Sequence, residues 1–325
     1  METDDHGAPF PERWDPAWID RRRQMEVKRL GYCGEPDPKH NSSLPWPYRL
    51  FKTGLKLSGL YGRGYRNFQQ IQLTRIEHGL GDWPDSLDGY QILHISDLHV
   101  DLNPALMDPL CRQLENLDAD LTVFTGDFWE GSHREFSTAL AAMKGILEVI
   151  PPSRHGHFGI LGNHDPAALG ARLEDLGIRI LVNESLVIGE DGAAFALAGI
   201  DDPYYFKLHD IPAAAAGIPV GLPRILLSHS PQVAPEAEAN DFQLMLSGHT
   251  HGGQVCLPGG HSLVRMEVVP GPLFRGRWRH GALRGYTTTG AGACHVPVRF
   301  NCPAEVVLHT LRSGALSGES ASSGH

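Results

Sequence analysis

The sequence has few cysteines and no long hydrophobic run, and both absences argue against whole classes of protein. Its five cysteines are odd in number and form no Cys-x-x-Cys pair, so a disulfide framework is not indicated and a reducing compartment is expected. The longest weakly apolar stretch, Ile211–Leu222, contains two prolines and is too short to span a bilayer. The first residues also lack the apolar core of a signal peptide. These absences predict a cytoplasmic protein.

A surplus of basic residues is absent as well. The chain carries 28 lysines and arginines against 38 aspartates and glutamates, a formal net charge of −10 over 325 residues. Nucleic-acid-binding proteins usually present a basic face, so no nucleic-acid partner is expected and a nuclease is disfavoured. With 41% hydrophobic and 20% charged residues, the composition is that of a globular protein long enough to bury a sizeable core.

What the sequence does contain is a series of five short segments rich in histidine and aspartate. In order they are Asp97-Leu98-His99, Gly126-Asp127, Gly162-Asn163-His164-Asp165, Ser228-His229 and Gly248-His249-Thr250-His251. Each follows a short apolar run that predicts a buried strand, namely Gln91–Ile95, Leu121–Phe124, Phe158–Leu161, Ile225–Leu227 and Phe242–Leu246. Helices predicted at Pro104–Leu117, Glu135–Val149 and Pro166–Leu176 alternate with these strands and favour an α/β architecture. The polar segments are then expected to meet at the carboxyl ends of parallel strands.

The residue types in these segments indicate metal chemistry. Imidazole and carboxylate ligands together suit manganese, iron or zinc, whereas an all-oxygen cage would suit magnesium or calcium. Two such ions about 3.5–4 Å apart can activate a water molecule and neutralise the charge on a transferring phosphoryl group. The pattern therefore predicts a metal-dependent hydrolase.

The series DLH, GD, GNHD, SH and GHTH resembles the calcineurin-like metallophosphoesterase superfamily. The resemblance covers residues 70–312 and implies a four-layer αββα sandwich built from two mixed sheets. The longer string Ser247–Gln254, which contains GHTHGGQ, and the ending Val298–Glu305 are similar to a bacterial branch of that superfamily. Some members of the branch cleave phosphodiesters or lipid-linked pyrophosphates, as a UDP-2,3-diacylglucosamine pyrophosphatase does.

The same resemblance implies a binuclear metal centre with one shared aspartate. One ion would be held by Asp97, His99, Asp127 and His251, and the second by Asp127, Asn163, His229 and His249. Manganese is the expected ion, with iron or zinc as alternatives. His164 is expected to protonate the leaving oxygen and Asp165 to orient its ring, while a hydroxide shared by the ions attacks phosphorus.

Several residues near these segments are weaker candidates. His133 and His295 are weighed between a place facing the substrate and a surface or structural role. Four aromatic residues are weighed between an apolar wall for a lipid or base and ordinary packing, which is favoured; they are Trp129, Tyr204, Tyr205 and Phe206.

The chain is predicted to divide into three parts. Residues 67–312 form the catalytic domain, with further strands at Ile71–Glu77 and beyond His251. Residues 313–325 are rich in serine and glycine and are expected to be a disordered tail. Residues 1–66 form an N-terminal extension with one helix near Pro16–Leu30, and we expect this extension to be dispensable for hydrolysis.

The extension ends in a basic segment, Pro47–Arg66, which has five basic residues and no acidic one. If Tyr48–Tyr61 is helical, Arg49, Lys52 and Lys56 share one face. A basic amphipathic helix can lie in the interface of an anionic membrane, here the inner face of the cell membrane. The alternative is a helix docked on the domain with its basic side in solvent.

The function predicted from these features is hydrolysis of a phosphoric ester. A phosphodiester or pyrophosphate is the preferred substrate, either a small molecule or a lipid headgroup. A protein-phosphatase role is not expected, because Phe128-Trp129-Glu130-Gly131 follows Asp127 and Asp165 follows His164, unlike the pattern of phosphoprotein phosphatases. A cyclic-nucleotide phosphodiesterase or a nuclease on the same scaffold is one alternative. A non-catalytic metal-binding interaction scaffold is an alternative from a different class.

Overall fold

The computed structural model describes residues 9–30, 46–102, 104–131, 136–190, 192–263 and 269–314. Within them, two six-stranded sheets stack on each other. The first sheet contains, in spatial order, β1 (Gln72–Leu80), β12 (Glu305–Ser313), β2 (Tyr90–Ile95), β3 (Leu121–Phe124), β4 (His157–Gly159) and β5 (Ile178–Ile180). The second contains β10 (Gly276–His280), β11 (Leu283–Thr287), β9 (Leu244–Ser247), β8 (Arg224–Leu227), β7 (Ala193–Gly199) and β6 (Glu184–Glu190).

Both sheets are mixed, with parallel strands at their centres. Strands β2 to β5 pair in parallel, whereas β12 runs antiparallel to β2. In the second sheet β7, β8, β9 and β11 are parallel, and the edge strands β6 and β10 are antiparallel to their neighbours. Parallel strands place their carboxyl ends on one edge of a sheet, which is where ligand sites form in open α/β sheets.

Most of the helices in the described part of the chain cover the outer faces of the two sheets. Their bounds are α1 (Pro16–Leu30), α2 (Trp46–Leu57), α3 (Tyr61–Phe68), α4 (Met107–Leu114), α5 (Ser137–Val149), α6 (Ala167–Asp175), α7 (Ile211–Ala215) and α8 (Ala234–Ala239). One apolar cluster joins β2 and β3 to α1, α4, α5 and α6, a second fills the space between the sheets, and a third joins β8 and β9 to α7 and α8. The αββα sandwich of two mixed sheets implied by the resemblance is confirmed.

Burial on both faces explains why the motif-bearing strands read as continuous apolar runs. In β2, Ile92 points into the cluster between the sheets, while Leu93 and Ile95 point to the helical side. The predicted strands and helices are observed within a few residues of their expected ends. The predicted strand near residue 71 is β1, but β12 lies between it and β2.

Helix α1 is part of the main core and not a detachable extension. Trp14, which precedes the helix, and Trp18 and Ile19 within it are buried in the cluster that also contains α6. Arg22 is fully buried and donates to the carbonyl oxygen of Asp165 at 2.7 Å. Removing residues 1–66 would therefore take α1 out of this core, while their dispensability for hydrolysis and the boundary at residue 66 stay predictions.

The basic segment forms two helices that differ in how they meet the domain. In α3, Gly64 and Phe68 are buried, and the N–H of Arg299 donates to the carbonyl of Gly64 at 3.0 Å. In α2 no residue is buried. Helix α3 is thus docked on the domain, whereas α2 lies on the surface, and contact of the basic segment with a membrane stays a prediction. Among the described residues, no helix combines the length and apolar character needed to cross a bilayer. The predicted tail beyond residue 314 lies outside the described residues.

Candidate metal centre

The five polar segments follow strands of both sheets and converge at one place. Strands β2, β3 and β4 lead into the segments that contain Asp97, Asp127 and Asn163. Strands β8 and β9 of the second sheet lead into His229 and His249. The expected meeting of these segments at strand ends is observed.

Strained backbone conformations mark the same segments. Positive φ angles occur at five of the residues predicted to bind metal, namely Asp97 (53°), His99 (42°), Asp127 (56°), His249 (71°) and His251 (49°). Residues with a side chain rarely adopt this left-handed region, and each instance costs about 1–3 kcal/mol, which the surrounding structure has to offset. Such strain clusters at functional sites.

Asp97, His99 and His251 form the first group of candidate ligands. Nε2 of His251 lies 3.2 Å from Nε2 of His99 and 3.5 Å from Oδ1 of Asp97. All three side chains are buried, and their nearest ligand atoms lie within 4.8 Å of one another. The backbone N–H of His249 donates to Oδ1 of Asp97 at 3.0 Å and so ties this group to the next segment.

The second group is built around Asp127, which also touches the first. Oδ2 of Asp127 lies 3.2 Å from Nε2 of His229 and 3.6 Å from Nε2 of His99. Nε2 of His229 lies 3.1 Å from Oδ1 of Asn163 and 3.2 Å from Nδ1 of His249. The structure therefore brings all seven predicted metal-binding residues together around one aspartate. Their role as ligands stays a prediction.

The charges at this point are strongly coupled because the groups are buried together. Burial would raise the pKa of Asp127, but His229, His164 and His99 lower it well below its usual value. Burial lowers the pKa of His229, but Asp127 and then Asp97 raise it to about 10. His249 has a pKa well below its usual value because of burial and repulsion from His229. The carboxylates thus require compensating positive charge at this point.

Two glycines allow the loops after β3 and β4 to touch. A Cβ atom on Gly162 would lie 2.5 Å from the backbone nitrogen of Asp127, and one on Gly126 would lie 2.5 Å from the backbone nitrogen of Gly162. Gly126 also has a φ of 91°. A side chain at either position would push the Asp127 segment away from Asn163, so glycine is required for this close approach.

His164 lies beside the two groups, and its ring is not held by Asp165. Its Nδ1 lies 3.1 Å from the carbonyl oxygen of Glu130, which can only accept, so Nδ1 carries the hydrogen. The carboxylate of Asp165 is fully buried and accepts four backbone N–H groups, those of Asp127, Phe128, Trp129 and Gly162. The prediction that Asp165 orients the His164 ring is therefore wrong. Asp165 joins the loops that carry Asp127 and Asn163.

A cavity of about 650 Å³ opens in front of the two groups. Asp127, Asn163 and His164 line its polar side, together with His249 and His251. Its apolar wall includes Tyr204 and Tyr205, whereas Phe206 is fully buried beneath the guanidinium of Arg22 and Trp129 packs against Phe136. Of the four aromatic residues, Tyr204 and Tyr205 thus belong to the cavity wall, and Phe206 and Trp129 belong to the packed interior. His295 lines the cavity, and His133 lies outside the described residues.

Two residues of the site carried too little sequence signal to be recognised. The carboxylate of Glu130 lies 2.8 Å from Nδ1 of His99 through Oε2 and 2.9 Å from Nδ1 of His295 through Oε1. Arg22 reaches the Asn163 loop from α1, more than a hundred residues earlier in the chain. A lone Glu three residues after Asp127 and one Arg of an Arg-Arg-Arg run resemble solvated surface charges.

The arrangement of segments agrees with a family comparison. The model of the family described as calcineurin-like phosphoesterase matches residues 90–253, which contain all five polar segments. The chain is also 30% identical over 278 residues to Phosphodiesterase YaeI of Escherichia coli (strain K12), across 81% of this chain and 97% of that protein. The chain belongs to the calcineurin-like phosphoesterase family.

Two further proteins are similar to parts of this chain. An uncharacterized metallophosphoesterase, YkoQ of Bacillus subtilis (strain 168), is 26% identical over 254 residues, which are 76% of this chain and 92% of that protein. Among solved structures, the Haemophilus influenzae NAD nucleotidase (NadN) is similar with 19% identity and a TM-score of 0.43, over 62% of this chain and 45% of that chain. Membership of the family makes this protein a metal-dependent phosphoesterase.

The residues present fit the divalent ions that the family implies. In each group two imidazole nitrogens lie 3.2 Å apart. At this distance one nitrogen must donate a hydrogen to the other, or both must direct their lone pairs at the same cation. Nitrogen and carboxylate oxygen donors around the same two points suit borderline divalent ions. Such ions would also supply the positive charge that compensates the buried carboxylates of Asp97 and Asp127.

Proposed function

We propose that this protein hydrolyses phosphodiesters or pyrophosphates with two divalent metal ions that share Asp127. The observation that carries the proposal is the position of Oδ2 of Asp127, within 3.6 Å of a histidine from each group. Only a carboxylate offers charged oxygen to two cations at once, so the two groups act as one centre. Hydrolysis of a phosphoric ester follows from the family, and the diester or pyrophosphate preference is the finer part of the proposal.

The ligands are assigned as the sequence predicts. Asp97, His99, Asp127 and His251 would hold one ion, and Asp127, Asn163, His229 and His249 the other. When bound, two divalent ions activate a water nucleophile and neutralise charge on the phosphoryl oxygens. Asn163 contributes a neutral oxygen, which limits the negative charge that faces a phosphate. Manganese is the ion we propose, with iron or zinc as the alternatives.

His164 is proposed as the proton donor to the leaving oxygen. Its backbone N–H donates to Oδ1 of Asp127 at 2.9 Å, which holds the residue next to the shared ligand. Its Nδ1 is committed to the carbonyl of Glu130, so Nε2 is the atom available to the cavity. Because Nδ1 already holds one hydrogen, Nε2 has a proton to give only when the ring is protonated on both nitrogens. This imidazolium form is the proposed donor to the leaving oxygen, and the ring is neutral after the transfer.

A lipid-linked substrate is the finer proposal for the cavity, and α2 supports it. Pro47, Tyr48 and Phe51 of α2 line the cavity, so the helix forms part of its rim. The same helix exposes large apolar side chains to solvent, with Trp46 74%, Leu50 64% and Leu57 85% exposed. Its charged residues are all basic. An exposed helix with this composition suits the surface of an anionic bilayer, from which a lipid headgroup would enter the cavity.

A substrate and metal screen tests the proposed function. Metal-free protein would be reloaded with Mn²⁺, Fe²⁺ or Zn²⁺ and assayed against aryl phosphomonoesters, linear and cyclic diesters, and lipid pyrophosphates. We expect Mn²⁺-dependent turnover that is highest on linear diesters or pyrophosphates. Preference for cyclic nucleotides or for DNA would overturn the substrate class. Absence of both bound metal and turnover would indicate an interaction scaffold.

A further inference from the structure

Glu130 contacts three histidines of the site from one position. Its side chain is buried, with 8% of it exposed, and Oε2 lies 2.8 Å from Nδ1 of His99. Oε1 accepts from the backbone N–H of His295 at 3.0 Å and lies 2.9 Å from the ring Nδ1 of that residue. Its backbone carbonyl accepts from Nδ1 of His164. A buried carboxylate needs such partners, and here each partner belongs to the metal centre or to the cavity wall.

The contact with His99 lies on the side of the ring opposite to the candidate ligands. Nε2 of His99 faces His251 and Asp127, while Nδ1 faces Glu130. A carboxylate behind a metal-binding imidazole fixes the orientation of the ring and raises the basicity of the ligating nitrogen. Oε2 of Glu130 lies close enough to Nδ1 to act on His99 in this way, through attraction between the carboxylate and the ring rather than through a well-aligned hydrogen bond.

The contact with His295 extends the chain of contacts to the surface helix. His295 adopts a left-handed conformation with φ of 59°, and its ring lies with its centroid 4.1 Å from that of Tyr48. Tyr48 lies on α2, which buries none of its residues. The position of α2 is thus connected to a carboxylate that also touches His99.

We propose that Glu130 is a positioning residue for the metal ligand His99, and that the contacts from Tyr48 through His295 to Glu130 couple the seating of α2 to the metal centre. This inference rests on the proposed function, because it takes His99 as a ligand. Packing of α2 against the cavity rim then raises the affinity of the centre for metal ions, and release of α2 lowers that affinity.

The first part is tested by metal binding to Glu130→Gln. We expect Mn²⁺ affinity to fall by about 10- to 100-fold with two ions per chain still bound at saturation, because the ligands remain and only their orientation is relaxed. The visible spectrum of the Co²⁺-loaded protein should also change. The matched control is Glu148→Gln, an exposed residue of α5, which should leave affinity and spectrum unchanged.

Each other outcome has a defined meaning. Native affinity and spectrum in Glu130→Gln would overturn the positioning role. Loss of one ion per chain would also overturn it, because Glu130 would then be a ligand itself, together with Cys294 and His295. If the native protein binds no metal and hydrolyses no ester, the proposed function fails and not merely this inference.

The coupling is tested by a double-mutant cycle on Mn²⁺ affinity. Tyr48→Ala should weaken binding by a smaller factor than Glu130→Gln, and should have no further effect in the Glu130→Gln protein, because both act through the same contacts. Independent, multiplicative effects of the two changes would overturn the coupling. Unchanged affinity in Tyr48→Ala alone would overturn it as well.

Discussion

At the scale of single residues, His164 permits a test of the proposed chemistry. We expect His164→Asn to lower kcat by about 10²- to 10⁴-fold while the metal content stays native, since the residue lies beside the candidate ligands and donates a proton. The loss should be larger for alkyl leaving groups than for p-nitrophenolate, because a good leaving group needs no protonation. Metal content is measured by mass spectrometry and kcat on both ester types.

The control for this substitution is His280→Asn at the end of β10, a residue that does not line the cavity. This variant should keep native kcat on both esters. Loss of metal from His164→Asn would show that His164 is a ligand. An equal loss on alkyl and aryl esters would show that it does not protonate the leaving group.

The positions of the candidate ligands in the fold were predictable from the sequence, whereas their roles stay predictions. The seven candidate ligands could be expected to meet because they follow apolar strands, and parallel strands place their carboxyl ends on one edge of a sheet. Asp165 is different, since the sequence places it next to His164 but does not show that four backbone N–H groups converge on it. The place of Glu130 in the site could not be predicted, because its contact with His295, 165 positions later, leaves no local pattern in the sequence.

At the scale of secondary-structure elements, α1 carries a buried acid whose charge depends on pH. Glu26 is 2% exposed, and burial raises its pKa from 4.5 to about 7 despite the nearby Arg22, whose Nε donates to Oε1 at 2.9 Å. The backbone N–H of Ala167 also donates to Oε1 at 2.8 Å, so Glu26 fastens α1 to the start of α6. Its protonation therefore links α1 docking to pH.

The sign of this linkage follows from the raised pKa. Between pH 4.5 and about 7 the unfolded chain loses the Glu26 proton while the folded chain keeps it, so rising pH favours unfolding. The free energy of unfolding of the native protein should fall relative to that of Glu26→Gln across this range, by up to about 3 kcal/mol. Urea unfolding at several pH values measures the difference. Asp20→Asn, at an exposed site on the same helix, is the control, and parallel curves for the native protein and Glu26→Gln would contradict the prediction.

Elements were predictable to the extent that their pattern is local. Helix α1 lies at the residues expected from the sequence, Pro16–Leu30, but its docking depends on Trp18 donating to Asp201 and Arg22 pairing with the same carboxylate. Asp201 is about 180 residues away from both, and no sequence pattern near α1 indicates this pairing. The insertion of β12 between β1 and β2 is likewise a long-range pairing that periodicity does not reveal.

At the scale of the whole molecule, the exposed helix α2 and the cavity lie on one side, and this predicts how the protein meets a membrane. Replacing Trp46, Leu50 and Leu57 of α2 with serine should reduce sedimentation with phosphatidylglycerol vesicles, because these exposed side chains provide the apolar area that enters the interface. Binding of the native protein should weaken as salt rises, since Arg49, Lys52 and Lys56 attract the anionic surface.

Removing residues 1–66 cannot serve as this test, because it would take α1 out of the core along with α2. The triple serine variant avoids that defect, since none of its three positions is buried or lines the cavity. Its melting temperature and its turnover of a soluble aryl phosphodiester should match the native protein, while turnover of a lipid substrate in vesicles falls. Val220→Ser, at a residue 99% exposed elsewhere on the surface, controls for loss of apolar area in general. Native sedimentation by the triple variant would refute membrane docking through α2 and leave the catalytic proposal standing, because the metal centre uses none of these side chains.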